Sequence, residues 1–284
     1  MAAFYTPLRY PGGKTKLYTL VSRIISLNNP SECTYIEPFA GGSGLALKLL
    51  FQEDVKRIVI NDFDYAIFCI WDTILNHSDI LCEFVENIQL TVTEWQKQRE
   101  IYNNQNYHTN IEIGKAAFYL NRTNVSGVLR GGVIGGLSQE GDYKIDARFN
   151  RKSLIDSILN ISRSKARIDL YNWDAKDFIT QVIPNYSNCF IYFDPPYVKK
   201  GQFLYKNSFN ENDHIQLKSA ISSCPEKWIV TYDDCEFIRN IYEGYDIESL
   251  SVNYSVGKTK TGSEIIVFGP KVIKDSADVI SSFS

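Results

Sequence analysis

The chain has 284 residues, of which 44% are hydrophobic, and a formal net charge of −3. This composition is that of a globular protein with a substantial core, and it excludes a disordered or fibrous chain. The longest apolar runs fall far below the roughly 18 residues of a membrane span, and no charged leader opens the chain, so we expect a soluble, cytoplasmic protein. Six cysteines without a C-x-x-C pair and three scattered histidines predict reduced structural thiols, and they indicate neither a metal site nor a histidine-based nucleophile.

Short runs of β-branched or aromatic residues predict seven strands. In chain order these runs are 34–39, 57–60, 167–171, 190–193, 228–231, 246–252 and 264–268. Segments with helical periodicity separate most of the runs, at 15–27, 44–51, 93–105, 111–121 and 212–222. The alternation of strands and helices predicts an α/β fold built on a mostly parallel sheet.

The interval 75–163 breaks this alternation with polar helices and a glycine-rich stretch at 127–141. We interpret it as an insertion into a core domain formed by residues 1–74 and 164–284. Between residues 115 and 167 there are ten Lys or Arg against four Asp or Glu, a net charge of +6 that leaves −9 for the rest of the chain. Such a concentration of positive charge favours a nucleic-acid-binding surface, although a solvated protein face has the same composition.

A glycine turn follows the first predicted strand, in the sequence EPFAGGSG at 37–44. Asp62 stands at the end of the second predicted strand, where α/β nucleotide sites place an acid for ribose hydroxyls. The dinucleotide pattern G-x-G-x-x-G fails at Leu47, and neither candidate phosphate loop has its first glycine, which leaves a nucleoside with a short charged tail such as S-adenosylmethionine. Lys14 of YPGGK, at 10–14, begins a predicted helix, where an anionic carboxylate is favoured. The competing interpretations are a glycine turn that serves only packing, for 37–44, and a helix-entry turn with a solvated lysine, for 10–14.

The fourth predicted strand runs directly into Asp194, Pro195, Pro196 and Tyr197. The prolines cannot donate to a strand ladder, so the strand must end in a stiff turn. Asp194 and the carbonyl of Pro195 are acceptors for the two hydrogens of an amino group, and Tyr197 offers a ring for stacking. The turn is therefore a candidate cradle for an amino-bearing base, although an ordinary strand-ending turn uses the same residue types.

Five motifs occur in one order along the chain, and together they resemble the Dam-like DNA adenine methyltransferases. They are YPGGK at 10–14, EPFAGGSG at 37–44, Asn61-Asp62, Leu120-Asn121-Arg122 and DPPY at 194–197. The resemblance covers residues 8 to 268 and implies a Rossmann-like methyltransferase sheet of about seven strands, with a mainly helical target-recognition insertion at 75–163. It also implies S-adenosylmethionine as the cofactor and double-stranded DNA as the partner. A cognate restriction nuclease is a further partner that the resemblance allows. No metal is expected.

The resemblance gives each candidate residue a role. Cofactor contacts are expected from Tyr10, Lys14, Glu37, Phe39, Gly41, Gly42, Gly44, Asp62, Asp174 and Asp194, with a helix N-cap as the competing role for Asp174. The catalytic candidates are Asp194, Pro195 and Tyr197. The basic insertion supplies the DNA-binding candidates Arg122, Asn124, Arg130, Lys144, Arg148, Arg151 and Lys152.

The sequence departs from the family pattern after Leu-Asn-Arg. Members that methylate GATC have an aromatic-rich segment there, whereas this chain has TNVSGVLR at 123–130, so GATC specificity is not predicted. Arg130 is suited to a guanine contact or to a phosphate contact. The expected reaction is methylation of the exocyclic amino group of an adenine flipped out of the duplex. A related enzyme that acts on cytosine, RNA or a protein amide, and an inactive DNA-binding relative, are the alternatives.

Overall fold

The computed structural model describes residues 5–28, 32–198, 209–254 and 260–274. Its strands are β1 (Thr34–Glu37), β2 (Arg57–Asn61), β3 (Ile168–Tyr171), β4 (Cys189–Phe193), β5 (Lys227–Asp233), β6 (Asp246–Tyr254) and β7 (Lys260–Phe268). They form one sheet in the order β3-β2-β1-β4-β5-β7-β6. The strand β1 is parallel to β2 and β4, and β4 is parallel to β5, whereas β7 is antiparallel to both β5 and β6.

The α/β class and the seven predicted strands are confirmed, and the bounds differ in two ways. The first strand ends at Glu37, before Pro38, because a proline has no N–H group to donate to a ladder. The strands β5, β6 and β7 extend beyond their apolar runs, since each pairs with a neighbour along its polar end as well. Backbone pairing lengthens these strands where the side-chain pattern gives no signal.

The helices of the described ranges are more numerous than the sequence predicts. They are α1 (Tyr18–Asn28), α2 (Gly44–Phe51), α3 (Tyr65–Asn76), α4 (Ser78–Asn87), α5 (Val92–Asn103), α6 (Asn110–Thr123), α7 (Arg151–Arg163), α8 (Ala175–Asp177), α9 (Glu211–Ser223) and α10 (Glu236–Ile241). Thr109 and Glu112 form a capping box at the start of α6, and Asn210 and Asp213 form one at the start of α9. These caps fix the first residues of both helices.

The chain contains two compact units, and each has its own core. The first comprises residues 1–15, 40–48 and 62–172, and the second comprises residues 16–39, 49–61 and 173–284. In the first unit α3 packs against α6, and most of the α3 side chains are buried. In the second unit the apolar side chains of β1, β2, β4 and β5 form the core. Among the described helices, none combines the length and the apolar character needed to cross a membrane.

Candidate active site

A glycine turn joins β1 to α2, and in the first unit its backbone lies against Tyr10. Gly41 has a φ of +46°, and a Cβ atom at this position would lie 2.7 Å from the Tyr10 ring. A Cβ atom on Gly42 would lie 2.9 Å from the Cβ of Tyr10. Glycine is therefore required at both positions, the first for its left-handed backbone and both for the close approach of Tyr10. Gly44, the third predicted glycine contact, is the first residue of α2.

Asp62, the residue after β2, forms a hydrogen bond with this glycine turn. Its carboxylate accepts the backbone N–H of Gly41 at 2.8 Å and that of Asp64 at 2.9 Å, one on each oxygen. The pKa of the Asp62 carboxyl is raised to about 7, mainly by burial and also by the nearby Asp64, while the two N–H groups oppose the rise. A carboxylate has about four acceptor positions, so Asp62 retains capacity for ribose hydroxyls in addition to these two bonds.

The Leu-Asn-Arg motif holds the segment that leads into Tyr10 and Lys14. Asn121 accepts the backbone N–H of Arg9 at 2.8 Å and donates to the Arg9 carbonyl at 2.7 Å. The adjacent Arg122 donates to the Pro7 carbonyl at 3.2 Å. The motif therefore positions the backbone beside the glycine turn, a role that the sequence pattern alone does not reveal. Lys14 opens a short 3₁₀ helix, and its ammonium group donates to the Gly12 carbonyl at 3.0 Å.

The second unit carries the carboxyl ends of β1 and β2, where Glu37 and Asn61 are buried. The Tyr35 hydroxyl donates to Glu37 at 2.9 Å, and burial keeps the pKa of Tyr35 well above its usual value, so the donor stays protonated. Asn61 donates to the carbonyls of Pro38 and Trp173 at 3.0 and 3.1 Å and accepts the Trp173 N–H at 2.8 Å. Asn61 thus joins the end of β1 to the segment after β3.

The two remaining cofactor candidates of the second unit lie at these ends. Phe39 meets the ring of Phe209 edge to face, with ring centroids 6.3 Å apart. Asp174 is the N-cap of α8 and accepts the backbone N–H of Lys176 at 2.9 Å. Asp174 therefore has the N-cap role that competes with a cofactor contact. The cap uses one carboxylate oxygen, so the other oxygen can still accept a hydrogen bond from the cofactor.

The predicted acceptor turn follows β4 without a break. Asp194 is half-buried, Pro195 is buried, and the Thr231 hydroxyl donates to the Asp194 carboxylate at 3.0 Å. At the other end of the turn, the backbone N–H of Val198 donates to Asp233 at 3.0 Å. Thr231 and Asp233 are alternate residues of β5, so this one strand holds both ends of the Asp-Pro-Pro-Tyr sequence.

Tyr197, the aromatic member of the turn, lies near the carboxyl groups of the half-buried Asp194 and the buried Glu264. Burial is the main cause that raises the pKa of its hydroxyl well above the usual value, and Asp194 and Glu264 add to the rise. Glu264 belongs to β7, where it pairs with Asp233 of β5, and its side chain is buried. With its pKa raised in this way, the Tyr197 hydroxyl stays neutral at physiological pH.

Three of the seven DNA-binding candidates are engaged inside the first unit. Arg122 donates to the backbone carbonyl of Arg148, and Arg151 donates to two carbonyls near the end of α4. Asn124 is fully buried, and its amide group bonds to the carbonyls of Val128 and Leu129 at 2.8 and 2.9 Å. Within the protein these three residues bond to backbone carbonyls, and their expected contacts with DNA stay predictions.

The other four DNA-binding candidates are accessible. Arg130, Lys144 and Lys152 are exposed; the Lys144 ammonium group donates to the Gln139 carbonyl at 2.5 Å, and Lys152 pairs with the exposed Asp156 at 2.7 Å. Arg148 is also exposed, and its guanidinium group lies 5.4 Å from the centre of the exposed Tyr143 ring. Cationic and aromatic side chains interleaved in this way suit contact with nucleic acid phosphates and bases.

Comparison with known proteins decides the family. The model of the D12 class N6 adenine-specific DNA methyltransferases matches residues 10–256. The chain belongs to this family. Type II methyltransferase M.MjaIII of Methanocaldococcus jannaschii is 24% identical over 90% of this chain and 95% of its own length. Type II methyltransferase M.CviBI of Paramecium bursaria Chlorella virus NC1A is 25% identical over 84% of this chain and 86% of its own length.

Among solved structures, an rRNA methyltransferase from Streptomyces viridochromogenes is 13% identical, with a TM-score of 0.40 over 97% of this chain and 90% of that one.

As an adenine-specific DNA methyltransferase, the protein uses S-adenosylmethionine as its methyl donor and DNA as its substrate. The family, the fold class, the reaction and the cofactor expected from the sequence are therefore confirmed. The roles of individual residues and the bounds of the insertion stay predictions. Within the described ranges, no group of three His, Cys, Asp or Glu side chains is arranged to hold a metal ion.

Sequence reasoning missed three side chains that organise this methyltransferase. The sequence pattern gives Asn61 no structural role, yet its side chain makes three hydrogen bonds, to Pro38 after β1 and to Trp173 after β3. Thr231 and Asp233 hold the acceptor turn, and nothing local in the sequence links them to it. Both are alternate residues at the carboxyl end of β5, so their side chains lie on the same side of the sheet. That they lie near the turn after β4 can be predicted only when the strand order is known.

Proposed function

We propose that the turn at residues 194–197 is the adenine pocket of this methyltransferase. The observation that carries the proposal is the half-buried Asp194 carboxylate, fixed by Thr231 at the carboxyl end of a parallel strand. Ligands of open α/β sheets bind at that edge. Asp194 and the carbonyl of Pro195 accept the two amino hydrogens of a flipped-out adenine, and the ring of Tyr197 stacks on the base.

The proposed chemistry is mainly positioning and electrostatics. Hydrogen bonds to Asp194 and the Pro195 carbonyl draw the nitrogen lone pair out of conjugation with the ring, which makes the nitrogen a better nucleophile. Bound S-adenosylmethionine supplies a methyl group on a positively charged sulfur, and this group passes to the nitrogen. The nitrogen then loses one of its two protons, for which the Asp194 carboxylate is the adjacent acceptor. Flipping costs a few kcal/mol, which stacking and hydrogen bonds in the pocket offset.

We propose that the cofactor is held by the residues around the glycine turn and the adjacent strand ends. The close packing of Tyr10 on Gly41 and Gly42 places an aromatic ring at the glycine turn, and Asp62 retains acceptor positions suited to ribose hydroxyls. In the same unit Lys14 supplies a cation suited to a carboxylate group, and the cofactor contacts of Glu37, Phe39, Asp174 and Asp194 stay predictions. These donors and acceptors match the chemistry of a nucleoside with an amino acid tail.

We propose that target recognition belongs to residues 75–163, with Arg130, Lys144, Arg148 and Lys152 as the DNA contacts. Their exposure supports the proposal, as does the concentration of positive charge between residues 115 and 167 in an otherwise acidic chain. Because both curated relatives bear the name Type II methyltransferase, we propose that the protein protects its recognition site from a cognate restriction nuclease. We place this activity in the cytoplasm.

Transfer of a labelled methyl group from S-adenosylmethionine to duplex DNA, followed by nucleoside analysis, tests this function. The account requires label in N6-methyladenine and none in cytosine, and the same label absent from RNA and protein. Label in N4-methylcytosine contradicts the assignment of the base. Sequencing of the methylated DNA then defines the recognition site, and a restriction nuclease that cuts this site must fail on the methylated duplex if the protective role is correct.

A further inference from the structure

Two hydroxyl groups in the second unit form a chain that ends on the Asp194 carboxylate. The Thr231 hydroxyl donates to Asp194 at 3.0 Å and lies 2.8 Å from the hydroxyl of Tyr192. A hydroxyl has one hydrogen, and Thr231 gives its hydrogen to the carboxylate, so Tyr192 must donate to Thr231. Burial raises the pKa of Tyr192 well above its usual value, and Asp194 raises it further, so Tyr192 retains the hydrogen that it donates.

The register of the sheet dictates this arrangement. In the parallel pair β4/β5, Tyr192 pairs with Ile229 and Phe193 pairs with Val230. The next position along the two strands brings Asp194 beside Thr231. Because side chains alternate across a strand, Tyr192 and Asp194 lie on one face, with Thr231 between them on the neighbouring strand.

The surroundings allow little alternative geometry. Thr231 has an exposed fraction of 0% and Tyr192 of 2%, so neither hydroxyl has water as a ready partner. Both are carried on strands inside the sheet rather than on loops. A buried hydroxyl that loses its partner is costly, which makes the bonded orientation strongly preferred.

We infer that Thr231 is a positioning residue for methyl transfer and that Tyr192 supports it. This inference rests on the proposed role of Asp194 in the adenine pocket. Thr231 fixes the rotation of the carboxylate, so that its oxygens present one orientation to the amino group before the base arrives. Pre-orientation of this kind affects the transition state more than the binding of DNA, because the base already stacks on Tyr197 when the amino group is misaligned.

The test compares isosteric and conservative substitutions in the full-length protein. Thr231→Val removes the hydroxyl and keeps the shape, whereas Thr231→Ser keeps the hydroxyl. We expect Thr231→Val to lower kcat for methyl transfer about tenfold, with KM for DNA changed less than about twofold, and we expect Thr231→Ser to retain most of the activity. Tyr192→Phe should lower kcat to an intermediate value, since Thr231 then keeps its bond to Asp194 without support.

Thr73→Val is the matched control. The Thr73 hydroxyl is equally buried, but it bonds to the Cys69 carbonyl within α3 of the first unit. It tests whether the loss of any buried hydroxyl slows the enzyme. Equal kcat values for Thr231→Val and Thr73→Val overturn the inference, and so does a loss in Thr231→Val that resides in KM alone. If Thr231→Val does not fold, the other two variants decide. A wild-type kcat in Thr231→Ser together with a reduced kcat in Tyr192→Phe supports the inference. An unchanged kcat in Tyr192→Phe overturns it.

A double-mutant cycle separates this inference from the proposed role of Asp194. In an Asp194→Asn background, Thr231→Val should lower the residual kcat far less than in the wild-type background, because the carboxylate to be oriented is absent. Wild-type activity in Asp194→Asn contradicts the proposed pocket itself. A low kcat in Asp194→Asn together with a further full tenfold loss from Thr231→Val leaves the pocket standing and overturns the role of Thr231.

Discussion

Asp62 makes the affinity for S-adenosylmethionine depend on pH near neutrality. Burial raises the pKa of its carboxyl from 3.8 to about 7. Only the ionised form can accept the N–H groups of Gly41 and Asp64 and still receive ribose hydroxyls on both oxygens. With this pKa, about a tenth of the protein is ionised at Asp62 at pH 6 and about nine-tenths at pH 8. The apparent Kd is the intrinsic Kd divided by that fraction, so affinity should rise about tenfold from pH 6 to pH 8.

Calorimetric titration at pH 6, 7 and 8 measures this dependence. Asp62→Asn should bind the cofactor weakly at every pH, and it controls for titration of the cofactor's own groups. Asp64→Asn is a matched variant, because Asp64 adds to the raised pKa and an asparagine can still cap α3. In Asp64→Asn the rise in affinity should move to lower pH. The reasoning is refuted if the wild type and Asp62→Asn show the same dependence on pH.

The same raised pKa has a consequence for folding. A carboxyl whose pKa is higher in the folded state than in the unfolded chain stabilises the fold fully below the unfolded value of 3.8, and that contribution is lost as pH rises through about 7. Between pH 4 and pH 7 the free energy of unfolding of the wild type should therefore fall relative to that of Asp62→Asn. Denaturant melts of both proteins across this pH range measure the difference.

Further predictions concern the base, the DNA and the Leu-Asn-Arg motif. Tyr197→Ala should lose about 1–3 kcal/mol of base stacking while Tyr197→Phe retains most activity, and equal losses on one oligonucleotide contradict the stacking role. Neutralising Arg148 and Lys152 should flatten the log–log salt dependence of DNA binding by about 0.9 for each true phosphate contact. Arg130→Ala should change preference at one base pair if Arg130 reads guanine, as titrations of single-substituted duplexes will show. Asn121→Ala should lower the free energy of unfolding by about 2 kcal/mol or more, because buried backbone groups of Arg9 lose their partners; an unchanged melting temperature refutes this.

The parts of the fold that the sequence predicts are those with a strong local pattern. Short β-branched runs followed by glycine or proline identify β1 and β4 together with their functional turns, since proline ends a strand ladder and glycine permits the left-handed backbone of a tight turn. Helix α3 gives no such signal. Its sequence is rich in isoleucine and aromatic residues, which suit a buried strand as well as a buried helix, so the apolar pattern does not decide between the two.

The parts of the site that the sequence misses depend on contacts between distant segments. Whether an arginine meets DNA or a backbone carbonyl is not encoded in its type, so the sequence predicts the same role for the half-buried Arg122 and Arg151 as for the exposed Arg148. The role of Thr231 likewise depends on the strand order that brings β5 beside β4. Residue identity predicts the chemistry that is available, and the topology decides which groups meet.

The most direct test of the central claim is a single-turnover measurement of N6-methyladenine formation by the wild type and by Asp194→Ala on the same duplex. Glu243→Gln, which removes an exposed carboxylate of the second unit, is the control for loss of negative charge. The account predicts that Asp194→Ala loses at least about 90% of the rate, a barrier increase of roughly 1.4 kcal/mol or more, while Glu243→Gln and the fold are unaffected. An Asp194→Ala protein that forms N6-methyladenine at the wild-type rate would contradict it.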